Sequence, residues 1–126
     1  MKILLLTPDF QKRGGIANYF KSACDKFHFE VEYFLRGSRH HKSLPILDII
    51  RIFKDYWDFL IKIKNKDYKI IHINTSLGMF GVLRDSVFIL ISKFYNRKIL
   101  LFFHGWDKRF EKQIQKFYLP FFKKSV

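Results

Sequence analysis

The stretch that most constrains the fold is residues 69–107, where two short apolar runs flank a longer one. The first run reads KIIHINTS, the long run covers residues 79–95, and the last reads RKILLFFHGWD. Two runs rich in β-branched and aromatic residues, separated by roughly four helical turns, predict a β-α-β unit with parallel strands. Each run also ends in polar residues, at the edge of a parallel sheet where ligands bind.

The remainder of the chain repeats this alternation of strand and helix. Strands are predicted over residues 2–7, 29–35, 69–74 and 98–104, and helices over residues 15–27, 46–64, 79–95 and 108–124. Glu30 and Glu32 alternate with apolar residues, which predicts an edge strand with both carboxylates facing water. The order predicts an α/β fold, a Rossmann-like doubly wound parallel sheet in one domain over residues 1–126. With about four strands, and a last helix that has no strand to return to, the sheet is expected to be incomplete.

Two of the predicted helices are unusually apolar. The helix over residues 79–95 is apolar almost all round, so we expect it to be the best buried. The helix over residues 46–64 has an apolar arc that includes Phe53 and Trp57 and is wider than one sheet contact needs. We favour burial of this helix on two sides. The alternative is an exposed strip that lies on a bilayer, helped by nearby lysines: Lys54, Lys62, Lys64 and Lys66.

Composition indicates a folded, strongly basic protein. Of the 126 residues, 48% are hydrophobic and 19% aromatic, which excludes a disordered chain. Lys and Arg number 24 against 11 Asp and Glu, a net charge of +13. This charge favours anionic partners such as nucleic acid, an acidic membrane surface or phosphate-bearing ligands. An AT-rich genome, which enriches Lys, Ile, Phe, Tyr and Asn together, is a second explanation for it.

The sequence also predicts where the protein works. Cys24 is the only cysteine, so an internal disulfide is excluded and a reducing compartment is favoured. The apolar run over residues 3–6 is too short for a signal peptide or a membrane span. We therefore expect a cytoplasmic protein, with any membrane contact peripheral on the inner face.

Gly14 and Gly15 form the clearest small motif, because they stand between the first predicted strand and the first predicted helix. Glycines there let the backbone turn tightly, and the helix N-terminus offers free N–H donors to a phosphate or hydroxyl. The motif is not the dinucleotide fingerprint, since G-x-G-x-x-G is absent, and it is not a Walker loop.

Polar side chains at the ends of the third and fourth strands are the other candidates. His72 and Asn74 alternate along one strand, so they point to the same side, and Ser76 follows at the loop. His104 ends the neighbouring strand, and Arg84 lies near the start of the helix between them. A histidine in such a crevice can take a proton, stabilise charge or orient a sugar hydroxyl, although a lone histidine there is more often structural. No complete metal site is predicted.

Taken in order, these segments resemble the N-terminal domain of a family 4 glycosyltransferase with the GT-B fold. The resemblance is carried by KILLLTPDFQKRGGIANYF, by IIHINTS with Arg84 downstream, and by KILLFFHGWD, over nearly the whole chain. In that family two Rossmann-like domains face each other across a cleft, the N-terminal one for the acceptor and the C-terminal one for the nucleotide-sugar donor. The resemblance implies sugar transfer with retention, to a glycan or lipid-linked acceptor, without a metal or other cofactor.

The resemblance also implies roles for individual residues. It implies a catalytic position for His104, beside the sugar that is transferred. Donor-proximal positions are implied for Gly14, Gly15 and Gly105, and acceptor-binding positions for His72, Asn74, Ser76 and Arg84. Asn74 stands where relatives often carry histidine.

The chain departs from the family pattern in extent. It is expected to stop before the last strands of the N-terminal domain and to lack the donor domain with its paired-glutamate motif. We therefore do not expect catalysis by this polypeptide alone, and a second chain that supplies the donor domain is one expected partner. The alternative is a basic, non-catalytic α/β module that binds nucleic acid or anionic membrane. Within the glycosyltransferase interpretation, nucleic acid is not an expected partner.

Overall fold

The computed structural model of the chain describes residues 1–8, 15–36, 45–76, 79–104, 108, 111–113, 115–116 and 120. Strands and helices alternate along it as the sequence predicts. Their bounds are β1 (Lys2–Pro8), α1 (Gly15–Ala23), β2 (Glu30–Arg36), α2 (Pro45–Asn65), β3 (Ile70–Ser76), α3 (Met79–Phe94) and β4 (Lys98–His104). A 3-10 helix (Cys24–Lys26) follows α1. Of the helix predicted over residues 108–124, a three-residue helix, α4 (Glu111–Gln113), is described, and most of the rest lies outside the described residues.

Within the described residues, four strands form one sheet in the order β2-β1-β3-β4. Every neighbouring pair is parallel. β1 and β3 are neighbours but are not consecutive, so the winding of the chain reverses between them. α1 packs on one face of the sheet, and α2 and α3 pack side by side on the other. The predicted α/β, Rossmann-like, doubly wound architecture is confirmed, and β2 is an edge strand as predicted.

The main core lies between the sheet and the inner sides of α2 and α3. Each strand contributes every second residue to it, because side chains alternate between the two faces of a sheet. Leu4 and Leu6 of β1 are fully buried there. Phe34 of β2 meets Phe59 of α2 with ring centroids 5.5 Å apart, and Phe59 meets Phe88 of α3 at 4.9 Å, both edge to face. This geometry favours aromatic pairs, so it adds to the free energy gained by burial.

A left-handed residue ends α3 and turns the chain into β4. Asn96 has φ of 53°, and its N–H donates to the carbonyl of Lys93 at 2.9 Å. The N–H of Arg97 donates to the carbonyl of Ser92 at 2.9 Å. These two bonds form the Schellman motif. Its left-handed position is usually occupied by Gly, and Asn is one of the few other residues that adopt this conformation. The cap fixes the start of β4 immediately after the helix.

α3 is the best buried of the described helices, as expected, with five buried residues against three in the longer α2, but its outer side is exposed. Val82, Phe88 and Ile89 are buried, but Phe80 is 82% exposed and Phe94 is 80% exposed. Apolar residues on every side of a helix predict burial only where other elements cover each side. Among the described residues, the sheet and α2 cover only the inner side of α3.

The outer side of α2 is exposed as well, and the favoured expectation of burial on two sides is wrong for the described residues. Its exposed residues recur at helical spacing: Ile46, Ile49, Ile50, Phe53, Trp57 and Ile61. We call this strip, together with the exposed Phe80, Leu83, Leu90 and Phe94 of α3, the α2–α3 outer surface. No helix in the described part of the chain is long and apolar enough to cross a bilayer.

Glu32 is only partly exposed to water, with 26% of its side chain accessible, whereas the alternation predicts full exposure. Its carboxylate receives a hydrogen bond from the Tyr68 hydroxyl at 2.7 Å and forms ion pairs with Lys62 at 2.6 Å and Lys66 at 3.1 Å. Burial opposes ionisation of this carboxyl, but the three donors outweigh it and lower the pKa of Glu32 to about 2. The alternation of β2 is present, but the end of α2 partly covers Glu32 through Lys62. Glu30 is exposed, as expected, and pairs with Lys2.

Candidate functional site

The sheet splits at its carboxyl edge between β1 and β3. Pairing of these two strands ends at Leu6 with Ile73. Beyond that point β1 continues only beside β2, and β3 continues only beside β4. The split lies where the winding reverses, which is where ligands bind in open α/β sheets. We call it the carboxyl-edge crevice.

Asn74 lies in the crevice at the point where β1 and β3 part. It is fully buried, and its side-chain amide donates to the carbonyl of Leu6 at 2.9 Å. The bond satisfies a strand carbonyl that loses its ladder partner at the split. Thr7 and Thr75 are also fully buried here, and among the described residues neither hydroxyl has a hydrogen-bond partner. Buried hydroxyls are normally paired, so these two mark polar positions that a ligand or water can satisfy.

His72 lies two residues below Asn74 on the same side of β3. It pairs in register with Leu5 and Leu100, in the middle of the sheet and not at its edge. Its half-buried ring lies between two aromatic rings, with centroids 6.0 Å from Phe20 of α1 and 6.3 Å from Phe102 of β4. This environment resembles that of a packed core histidine more than that of a proton carrier at a strand end.

Ser76 and His104 end β3 and β4 and are partners in register. The two residues are therefore neighbours in the sheet at the carboxyl edge, as the sequence predicts. Gly15 begins α1, the helix on the same face as His72. Gly14 and Gly105 lie outside the described residues.

Arg84 lies on the opposite face of the sheet from His72, because α3 covers that face. Its Nε and Nη2 donate to the Asp85 carboxylate at 2.9 and 3.3 Å, and its carbonyl accepts the Tyr56 hydroxyl at 3.0 Å. The structure therefore separates the predicted acceptor-binding residues into two groups. His72 and Asn74 share the face of the sheet that α1 covers, and Arg84 lies on the face that α2 and α3 cover.

A buried arginine joins the crevice to α3, and sequence reasoning missed it. Arg36 ends β2, is 4% exposed, and pairs with Asp85 at 3.1 Å. It also donates to the main-chain carbonyl of Asn74. Burial lowers the pKa of Arg36 to about 10, opposed by the negative charges of Asp85 and Asp55, so the guanidinium stays charged at neutral pH.

The signals for this pair were present in the sequence but indirect. Arg36 continues the alternation of Glu32 and Phe34, which places its side chain on the core face. Asp85 interrupts an apolar helix, and a charge on the buried side of a helix needs a partner. Because polar residues follow Arg36, the sequence alone favours a loop that begins at Arg36. Arg36 and Asp85 are also 49 positions apart, so no local sequence pattern connects them.

Arg84 also lines a groove between α2 and α3. The groove has a volume of about 370 Å³ and opens on the α2–α3 outer surface. Its walls are formed by Ile52, Tyr56, Phe80, Gly81, Leu83 and Arg84. Burial raises the pKa of Tyr56, so its hydroxyl is neutral at physiological pH and remains a donor to the Arg84 carbonyl.

In the described part of the chain, no group of three or more metal-ligating side chains lies close enough together to hold an ion. The crevice is lined by the hydroxyls of Thr7 and Thr75, the side-chain amide of Asn74 and main-chain groups, a set of polar groups that suits a polar organic ligand. Comparison of the chain with models of protein families, with curated proteins and with solved structures gives no match.

Proposed function

We propose that this chain is the acceptor-side domain of a retaining glycosyltransferase of the GT-B type. In this role it binds a glycan or lipid-linked acceptor, and a donor-binding domain holds the nucleotide-sugar across a cleft. The proposal rests on the resemblance of three ordered segments to family 4 glycosyltransferases, and on the architecture in which those segments lie.

The observation that carries the proposal is the carboxyl-edge crevice. The split between β1 and β3 lies at Asn74, and the resemblance selects both Asn74 and Ser76, which ends β3. Ser76 and His104 are register partners beside it, and buried Thr7 and Thr75 add hydroxyls without a described partner. A sugar presents many hydroxyls that both donate and accept hydrogen bonds, so a crevice lined with such groups suits it.

His104 is the proposed catalytic residue. At the edge of the crevice, an imidazole can donate to the oxygen on which charge develops as the glycosidic bond to the nucleotide breaks. Gly14, Gly15 and Gly105 are proposed to let main-chain amides approach the donor, since a side chain at those positions would occupy the space. No metal or other cofactor is part of the proposal.

We propose in addition that the protein works at the inner face of a membrane, as a peripheral protein. The α2–α3 outer surface supports this, because it combines exposed aromatic residues such as Trp57 with exposed lysines such as Lys54 and Lys64. The same surface favours a second candidate function, a basic non-catalytic module that binds anionic membrane. The two candidates differ in whether His104 matters.

The test is sugar transfer by the completed enzyme, that is, this chain together with the polypeptide that supplies the donor-binding domain. Radiolabelled nucleotide-sugars are offered with membrane lipid extracts or soluble glycans as acceptors. We expect His104→Ala to lower turnover by about 10²–10⁴-fold, the usual effect of removing an acid–base group, with an unchanged circular dichroism spectrum.

His28→Ala is the matched control, because His28 is exposed near the amino end of β2, away from the crevice. It should leave turnover unchanged. Equal turnover of His104→Ala and the unsubstituted enzyme would remove His104 from the site. Failure of every nucleotide-sugar to give a product would reject the glycosyltransferase proposal and leave the non-catalytic candidate.

A further inference from the structure

The proposed sugar transfer leaves the groove between α2 and α3 without a role. Its volume of about 370 Å³ lies at the low end of the range typical of small-molecule sites, ~300–1,000 Å³. Its walls are mostly apolar, with Ile52, Tyr56 and Leu83 among them. A groove of this size and lining suits a single alkyl chain better than a bulky polar ligand.

The groove is continuous with exposed apolar surface. Phe80, which forms part of its wall, is 82% exposed, and Leu83 is about half exposed. Phe53 lies beside Tyr56, with ring centroids 6.3 Å apart, and is itself exposed. An alkyl chain can therefore enter the groove along apolar side chains without crossing a polar barrier.

Arg84 gives the groove a cationic end. Its guanidinium is held by Asp85, whose carboxylate is fully buried and also bonded to Arg36. The negative charge of the cluster is therefore inside the protein, and the part that solvent reaches is the Arg84 cation, whose side chain is 26% exposed. A guanidinium fixed in this way matches a phosphate group in charge and geometry.

We propose that this groove binds a single-chain lipid phosphate, with the alkyl chain against Ile52, Tyr56 and Leu83 and the phosphate on Arg84. A second copy of the chain does not fit the same surface as well, because each copy carries a net charge of +13 and two copies repel. The binding of this lipid does not depend on the proposed sugar transfer.

The test is direct binding of octyl phosphate below its micelle concentration, measured by isothermal titration calorimetry. Octanol carries the chain without the charge, and inorganic phosphate carries the charge without the chain. We expect octyl phosphate to bind about tenfold or more tightly than either, since each half supplies part of the free energy. Equal affinity for octyl phosphate and inorganic phosphate would overturn the proposal, and so would the absence of octyl phosphate binding.

Three substitutions separate the two halves of the site. Arg84→Gln should weaken octyl phosphate binding about tenfold and leave octanol binding unchanged. Gly81→Leu fills the groove and should weaken both ligands, and it also improves helix propensity, so the fold should survive. Leu83→Glu is the second groove variant, because it places a carboxylate where the alkyl phosphate lies.

Arg51→Gln is the matched control. Arg51 is a partly exposed arginine of α2 that pairs with Asp48 and does not line the groove. If Arg51→Gln weakens octyl phosphate as much as Arg84→Gln does, the ligand senses net charge alone and the proposed site is wrong. Octyl phosphate binding that survives both Gly81→Leu and Leu83→Glu also refutes it.

These outcomes are distinct from those that test sugar transfer. None of the groove variants alters His104 or the carboxyl-edge crevice. If octyl phosphate does not bind but His104→Ala still lowers turnover, the lipid phosphate proposal is refuted and the glycosyltransferase proposal stands. If octyl phosphate binds in the groove but no sugar is transferred, the lipid phosphate proposal stands and the glycosyltransferase proposal is refuted. The second outcome would favour the non-catalytic membrane candidate.

Discussion

Substitution of Asp85 tests the buried cluster that joins β2 to α3. Asp85 is fully buried and bonds both Arg36 and Arg84. Asp85→Ala leaves the Arg36 guanidinium, 4% exposed, without its closest carboxylate. Removing one partner of a buried ion pair typically costs about 3–5 kcal/mol, because the remaining charge is neither solvated nor paired.

The lower end of that range applies here. Arg36 keeps its bond to the Asn74 carbonyl and the negative charge of Asp55, and both partly compensate it. We expect Asp85→Ala to lower the free energy of unfolding by about 3 kcal/mol. For a chain of this length, that corresponds to a fall in Tm of about 10 °C. It is a large part of the ~5–15 kcal/mol that stabilises a typical domain.

Urea denaturation followed by far-ultraviolet circular dichroism measures the change. Asp67→Ala is the control, because Asp67 also pairs with an arginine, Arg97, but is exposed, and its loss should hardly move the midpoint. The double replacement of Arg36 by Met and Asp85 by Leu should be more stable than Asp85→Ala, since the buried charge of Arg36 is removed together with its partner and Arg84 keeps access to solvent. A double variant as unstable as Asp85→Ala would show that lost packing, and not an uncompensated charge, causes the loss.

Two further predictions concern pH and the outer surface. The pKa of Glu32 is lowered to about 2 in the fold, so its contribution to stability is complete above the ordinary carboxyl pKa of about 4.3 and is lost as the pH falls towards 2. Glu32→Gln should therefore flatten the dependence of the urea midpoint on acid pH, and an unchanged dependence would contradict the assignment. Trp57→Ser should reduce pelleting with phosphatidylglycerol vesicles about tenfold, because Trp57 is 64% exposed on the α2–α3 outer surface. Phe29→Ser, an exposed aromatic change near the amino edge of the sheet, is its control, and equal losses would exclude specific docking of this surface.

Local patterns sufficed to predict most of the fold. The bounds of β4, Lys98–His104, coincide with the prediction, because a short apolar run after a cap and before His-Gly leaves few alternatives. β3 extends two residues beyond its prediction, to Ser76. The polar residues Thr75 and Ser76 weaken the apolar signal at this strand end, but pairing with β4 continues through them.

Local patterns did not predict which sides of the helices are buried by neighbouring elements. An apolar face shows that a helix has something to bury, and it does not show how many neighbours are available. Phe80 and Phe94 are as hydrophobic as Phe88, yet only Phe88 meets a partner helix and the sheet. The candidate site was predictable in part, since Ser76 and His104 do end neighbouring strands. The separation of Arg84 from His72 depends on which face each helix covers, and that is set by the tertiary fold.

The crevice and the groove lie on different sides of the sheet, but one set of buried bonds connects them. Arg36 bonds the main chain of Asn74 at the split and the carboxylate of Asp85, which in turn holds Arg84 at the groove. Because Arg36 and Asp85 are buried and charged, loss of either leaves an uncompensated charge, so the set ties α3 to the end of β3. Arg84 is the partly exposed member of the set, so Arg84→Gln should affect the groove alone. Asp85→Ala should affect both stability and octyl phosphate binding, since it releases the arginine on either side.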